Sequence, residues 1–357
     1  MSTLGLASII LIGASASFPN PGTWVQVNFA AGPSGGAPQG QTVLILGNKT
    51  AAGTATPDTV VYGPDTPVPA QNESSVSTLA GPGSQVHVAW RRFTAVNKTT
   101  PVYFLCVSES AGAQATGVVQ IGGAATATSS GNIRFYYGAD FVDTGVNVGD
   151  ATSAIGDAVA ASINAQTAWG ITATNASGVI AITDKNHGPE GNWKKIRVIL
   201  GPVFAPGGVT ATAYGVTRAN ATLYTTGQFY APATPNGYYY KVTTGGTTAG
   251  SPPALGTTIG GTTVDGTATV TCWGTLSSAG IASLGGGATA DNVTAALATI
   301  LARGFRNIVV CDSDATNVGR VVAQVTSQAQ PTTGIYQRVF FGNVDTLANA
   351  ITVATGI

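Results

Sequence analysis

Apolar positions along the chain fall into patterns of different period. The run "QTVLILG" at 41 to 47 is β-branched and aliphatic and ends in Gly, and "VYFLCVSE" at 102 to 109 repeats the type. Unbroken apolar runs of this length predict strands covered on both faces of a central sheet. Between 117 and 200 the period changes: "GVVQIGG" and "NIRFYYGADFVDTGV" read as strands, and "GDATSAIGDAVAASINAQ" places Ile155, Val159 and Ile163 on one helical face. Asp150 or Thr152 is expected to cap that helix. After it, "GITATNASGVIAITD" alternates on either side of Asn175 to Gly178, the signature of a β-hairpin.

Residues 228 to 275 are dense in turn dipeptides, among them Asn236-Gly237, Gly245-Gly246 and Asp265-Gly266. With the short strands "YYYKVTT" and "TATVTCWG", they predict an inserted small β module. Helical spacing returns in "ATADNVTAALATILARGF", with Val293, Leu297, Ile300 and Leu301 on one face, Asp291 near its start and Gly304 as its stop. "RNIVVCD" is then a buried strand, Val318, Val321, Val322 and Val325 line a further helix, and "YQRVFFG" is a last strand. Helix and strand in alternation imply a βα layer with parallel pairing.

The expected fold is thus α/β and α+β, multidomain: a mixed sheet with helices as core, an outward α+β domain and an inserted small β module. The expected divisions are an extended N-terminal arm over 1–30, a first part of the core over 31–116, the α+β domain over 117–225, the β module over 226–276 and a second part of the core over 277–357.

Composition narrows the function. Charged residues make up 8% of the 357, and fifteen Lys and Arg balance fifteen Asp and Glu. Zero net charge removes the electrostatic footprint of a protein that binds nucleic acid or an anionic membrane directly. Sparse charge permits close packing of many copies, so the expected partners are proteins. Cys106, Cys272 and Cys311 are too scattered for a disulfide framework or a zinc pattern and read as buried thiols. With only His87 and His187, a histidine-based triad or metal site has little material, which argues against most hydrolases, and no cofactor is expected.

Candidate chemistry is thin. Asp312 and Asp314 follow the strand "NIVV", where α/β enzymes place ligands; the plainer reading is that they cap the next helix. The glycine-rich stretches match neither a phosphate loop nor a dinucleotide fingerprint and read as turns. "WRRF" at 90 to 93 could stack on a base or a sugar, but in a neutral chain it reads as structural. Tyr238 to Tyr240 and Trp273 could line a carbohydrate groove, or form the core that a small β module needs.

One likeness orders these pieces. The stretches "PGTWVQVNFAAGPSG", "QTVLILGNKTAAGTATPDT", "STLAGPGSQVHVAWRRFTAVNKTTPVYFLCVSESAGAQATGVVQIGG", "VIAITDKNHGPEGNWKKIRV" and "GGGATADNVTAALATILARGFRNIVVCDSDATN", in that order, resemble the contractile tail sheath proteins of Mu-like bacteriophages. Most specific are E-S-A-G-A-x-A-T-G at 109 to 117, G-D-x-x-x-x-I from 149 and G-x-x-G-N at 188 to 192. The resemblance implies a non-enzymatic virion protein, assembled in the host bacterial cytoplasm. It would polymerise with itself as stacked hexameric rings in a helical tube around the tail tube protein, and meet baseplate and tail terminator proteins. In that family contraction, without nucleotide hydrolysis, drives the tube through the host envelope. The likeness also implies that the βα core faces the tube and that the 117–200 and 228–275 segments lie outward.

Sheath subunits of this kind are linked by terminal arms that add a strand to a neighbour's sheet. "ASFPNPGTWVQVNFA" is read accordingly as an uncleaved arm held extended by Pro19 and Pro21, with Trp24, Val25, Val27 and Phe29 near the contact between subunits. A secretory signal is the alternative, but residues 1 to 10 carry no Lys or Arg. That alternative belongs to a secreted or cell-surface β-rich glycan-binding protein. Family members usually continue into a C-terminal arm, whereas this sequence ends at "TLANAITVATGI" and is expected to be incomplete there.

Overall fold

Two stretches of chain, one ending at Val107 and the other beginning at Asn307, build one sheet. The computed structural model describes residues 41–64, 72–201, 204–213, 216–234, 236–276, 281–301, 303–312, 314–329 and 335–342. Trp24, Val25, Val27 and Phe29 and the final segment lie outside them. The chain begins with β1 (Val43–Asn48), α1 (Glu73–Ala80), α2 (Gln85–Val96) and β2 (Val102–Val107). All six residues of β1 are buried, because alternate side chains feed two cores. Val43 and Ile45 join Val76, Val86, Trp90 and Phe104 on the α1–α2 face, while Leu44 and Leu46 point to the other.

After β2 the chain leaves the sheet. It forms β3 (Gln114–Gly123), β4 (Gly131–Tyr137), β5 (Asp140–Val146), α3 (Thr152–Asn164), β6 (Ile171–Ala176) and β7 (Val179–His187). A 3₁₀ turn (Pro189–Trp193), β8 (Lys195–Leu200) and β9 (Val209–Thr212) follow. Two four-stranded sheets, β6-β7-β3-β9 and one including β8-β4-β5, share a core with α3, whose Ile155, Val159 and Ile163 are buried as their spacing predicts. The expected cap is not there: Ala151 holds the cap position without a side-chain bond. Asp150 instead accepts from the Asn147 N–H, and Thr152 donates to the Ala124 carbonyl. The β6–β7 turn has Ser177 at φ 53° and Gly178 at φ 86°, the left-handed pair that a two-residue hairpin favours.

The β module contains β10 (Val216–Thr217), β11 (Leu223–Tyr224), β12 (Phe229–Ala231), β13 (Tyr238–Thr244), β14 (Gly246–Thr247), β15 (Thr262–Asp265) and β16 (Ala268–Thr275). Its main sheet runs β10-β12-β13-β16-β15. Tyr230, Tyr240, Val242, Val270 and Cys272 form its own core, whereas Phe229 and Tyr239 pack into the α3 domain.

The chain returns through β17 (Ala282–Ser283), which pairs with β8, to α4 (Thr294–Ile300), β18 (Asn307–Val310), α5 (Ala315–Gln328) and β19 (Arg338–Phe341). Val293, Leu297 and Ile300 are buried against the sheet, but Leu301, expected on that face, is 43% exposed where the helix ends. Tyr62 adds an antiparallel bridge to Phe104 at the β2 edge of the core sheet, which runs β19-β18-β1-β2 with these strands parallel. The reason is topological: β1 reaches β2 through α1 and α2, and β18 reaches β19 through α5, crossovers that parallel neighbours require. Among the described residues no helix is long and apolar enough to cross a membrane.

Candidate functional site

The chain goes from β1 to β2 on one side and returns to β18 on the other, so the sheet changes direction between β1 and β18. In open parallel sheets the crevice outside the carboxyl ends at such a point is the usual ligand position. Here the inserted domain stands over it. Asn48 ends β1, Cys311 and Asp312 follow β18, Glu109 and Ser110 follow β2, and Asp291 precedes α4. The Asn48 Nδ2 donates to Asp291 Oδ2 at 2.5 Å, and the Ser110 N–H donates to Asp291 Oδ1 at 2.5 Å. Burial pushes the Asp291 carboxyl up, partly offset by those two bonds.

The inserted domain is tied in by its own polar groups. Asn186 donates to the Lys49 carbonyl at 2.8 Å and to Glu109 Oε1 at 2.9 Å, and it accepts from the Gln85 N–H at 3.2 Å. Glu109 also accepts from the His187 N–H at 2.8 Å, with its second oxygen 3.1 Å from His187 Nδ1. Asp184 faces Lys194 Nζ at 2.8 Å; burial works against the Lys194 ammonium, but Asp184 and Tyr137 outweigh it and raise its pKa.

The two aspartates at the end of β18 part company. Asp314 caps α5, accepting from the Thr316 and Asn317 N–H groups, as the plainer reading has it. Asp312 does not: it is 1% exposed, and neither carboxyl oxygen has a hydrogen-bond partner among the described residues. Burial, and then the negative charges of Asp291, Glu190 and Asp314, push its pKa up to about 8. Asp291 is not at the helix start as a cap either; Asn292 bonds the Thr294 N–H there. Among the described residues no group of three or more His, Cys, Asp or Glu side chains is set to hold a metal ion.

The other sequence candidates serve packing. Within "WRRF", Trp90 is buried, Arg91 pairs with Glu73 at 2.9 Å and Arg92 with Asp140 at 2.9 Å. Tyr239 and Tyr240 are wholly buried, and Trp273 packs beneath Lys241, so these aromatics are core and not a groove. Burial raises the Cys106 thiol to about 12 and the Cys272 thiol to about 11, which keeps both protonated and unreactive. Sequence reasoning passed over Asn48, Asn186 and Glu109; what could have flagged them is polar residues closing otherwise apolar strands.

No known protein family matches the chain by sequence, and no curated protein matches it. Among solved structures, a sheath tail protein from Desulfitobacterium hafniense is similar at 11% identity over 88% of this chain and 52% of its own, with a TM-score of 0.24. The flagellar cap protein FliD from Escherichia coli is similar at 15% identity over 62% of this chain and 56% of its own, with a TM-score of 0.17. The chain spans about half the length of each. Superpositions this loose carry no argument about fold or function.

Proposed function

We propose that the protein is a structural subunit of a contractile phage tail sheath. One observation supports the reading: stretches that carry the sequence likeness, remote in the chain, meet in one junction. From 109 to 117, the Ala113 carbonyl accepts from Gly188 and Ala288, and Thr116 exchanges two backbone bonds with Gly285. From 188 to 192, Asn192 exchanges two bonds with Gly287. A Cβ on Gly112 would lie 1.9 Å from the Ala288 carbonyl oxygen and one on Gly287 would lie 2.3 Å from that of Gly188, so glycine is required at both close approaches. Residues that the likeness singles out therefore hold the inserted domain to the parallel core, a mechanical task and not a chemical one.

In this reading the core carries the ring contacts and the tail-tube face, and the α+β domain and β module lie outward. The N-terminal stretch through Trp24, Val25, Val27 and Phe29 is an arm that adds a strand to a neighbour. The subunit acts without a cofactor, within the virion, and is not an enzyme. Negative-stain electron microscopy of the full-length product, alone and with a tail-tube protein, tests this. Six-fold rings or hollow tubes are expected; a monodisperse monomer under both conditions would count against the reading.

A further inference from the structure

The carboxyl edge of the core holds an electrostatic arrangement that packing does not explain. The parallel register of β1 and β18 ends at Leu46 and Val310, the Cys311 N–H donates to the Leu46 carbonyl at 2.8 Å, and Asp312 follows at the carboxyl end of the sheet. The Asn48 amide is oriented by its bond to Asp291, which leaves Oδ1 as an acceptor. Asn48 Oδ1 and both Asp312 oxygens are buried without a partner among the described residues. The carboxyl edge thus holds three buried acceptors without a donor in bonding geometry among the described residues, and the Gln85 side chain is the one donor that acts on Asp312.

We propose that Asp312 is a proton-held latch: as a neutral acid it closes the carboxyl edge of the core beneath the inserted domain, and loss of its proton loosens that junction. A proton turns one Asp312 oxygen into a donor and removes a charge from a dry site.

The surrounding groups all favour the neutral form or oppose it weakly. Asp291 before α4, Glu190 in the 3₁₀ turn of the inserted domain and Asp314 at the start of α5 each disfavour a further anion, while a weak hydrogen bond from the Gln85 side chain at the start of α2, the smallest effect, favours it. Cys311 beside it and Cys106 on β2 are thiols that burial keeps neutral. Lys49, just beyond β1, turns its ammonium to the Gly53 carbonyl, and Glu109 faces His187 and Asn186.

The linkage has a definite sign. An unfolded Asp ionises near pH 4, whereas folded Asp312 keeps its proton up to about 8. Between those values folding takes up one proton, so stability falls as pH rises, and above about 8 the contribution is flat. The slope is about tenfold in the folding equilibrium constant per pH unit. The inference rests on the buried site alone and is independent of the sheath reading.

Urea unfolding of the full chain at steps between pH 5.5 and 7.5, for wild type and Asp312→Asn, tests it. The wild-type folding constant should fall about tenfold more per pH unit than that of the variant. Parallel profiles would overturn the latch, as would stabilisation of wild type by calcium or magnesium chloride at pH 8 that the variant loses, which would make the site a cation site. Should the variant not fold, ¹³C-aspartate labelling of wild type decides. One carboxyl resonance titrating near pH 8 is expected, and all titrating below about pH 5 would defeat the proposal.

Discussion

Two aspartates at the same depth live in opposite surroundings. Asp265 in the β module is 0% exposed and Asp312 at the core edge is 1% exposed; the first ends β15 and the second lies two residues past the end of β18. Asp265 meets four donors: Arg218 Nε at 2.7 Å and Nη2 at 2.8 Å, the Tyr230 hydroxyl at 2.7 Å and the Ala249 N–H at 3.0 Å. Burial pushes the Asp265 carboxyl up, but those bonds outweigh it and hold the group below its ordinary range. Asp312 has burial and like charges without the donors, and moves the other way. Burial alone therefore does not fix the charge of a carboxyl; the count of donors aimed at it does.

The largest break in the comparison comes from removing the guanidinium. Arg218→Ala would take the cation and two of the four donors from Asp265 and leave a buried carboxyl without its counter-charge. A loss of about 3–5 kcal/mol is expected in urea unfolding near pH 7. The pH dependence should change with it. With its folded pKa depressed, Asp265 contributes stability above the unfolded value near pH 4 that is lost on further acidification. The variant should lack that acid-side loss, and an unchanged acid limb would show that the pair does not control the Asp265 charge.

A smaller step keeps the ion pair and removes one donor. Tyr230→Phe deletes the hydroxyl bonded to Asp265 Oδ2 while the ring stays in the module core. A cost of about 1.5–3 kcal/mol is expected for a bond to a charged acceptor. The check is the urea midpoint beside that of Arg218→Ala: equal losses would mean that the cage fails as one unit, not donor by donor.

What the sequence made legible follows the same division. Continuous apolar runs located β1, β2 and β18 because both faces of a parallel sheet are covered, and spacing located the buried face of α3. Asp265 was readable as a turn residue, and Gly266 does take φ 71°. Its partner was not, because Arg218 lies 47 residues back and only the fold brings it close. A hint existed: Arg218, Lys241 and Asp265 are the only charged residues from 216 to 276, and an acid and a base in so apolar a module have reason to pair. Asp312 was illegible for the converse reason. Its state depends on Gln85, Glu190 and Asp291, whose positions no local pattern encodes, and the same local signal, an acid just past a strand, described Asp314 correctly.

That pair of near neighbours gives the smallest test. Asp314 accepts from two amides at the start of α5, and its second oxygen receives Asn317 Nδ2 at 2.7 Å. Its role is the ordinary one of satisfying N–H groups that the first turn leaves open. Asp314→Ala should cost about 1 kcal/mol, read from the thermal midpoint. Asp314 also stands among the charges that hold Asp312 neutral, so its removal makes the Asp312 anion less unfavourable. The variant should thus be less stable while its stability falls less between pH 6 and 8 than that of wild type. Loss of the cap with an unaltered slope would mean that Asp314 is too distant or too well solvated to act on Asp312, leaving burial, Asp291 and Glu190 to hold the proton there.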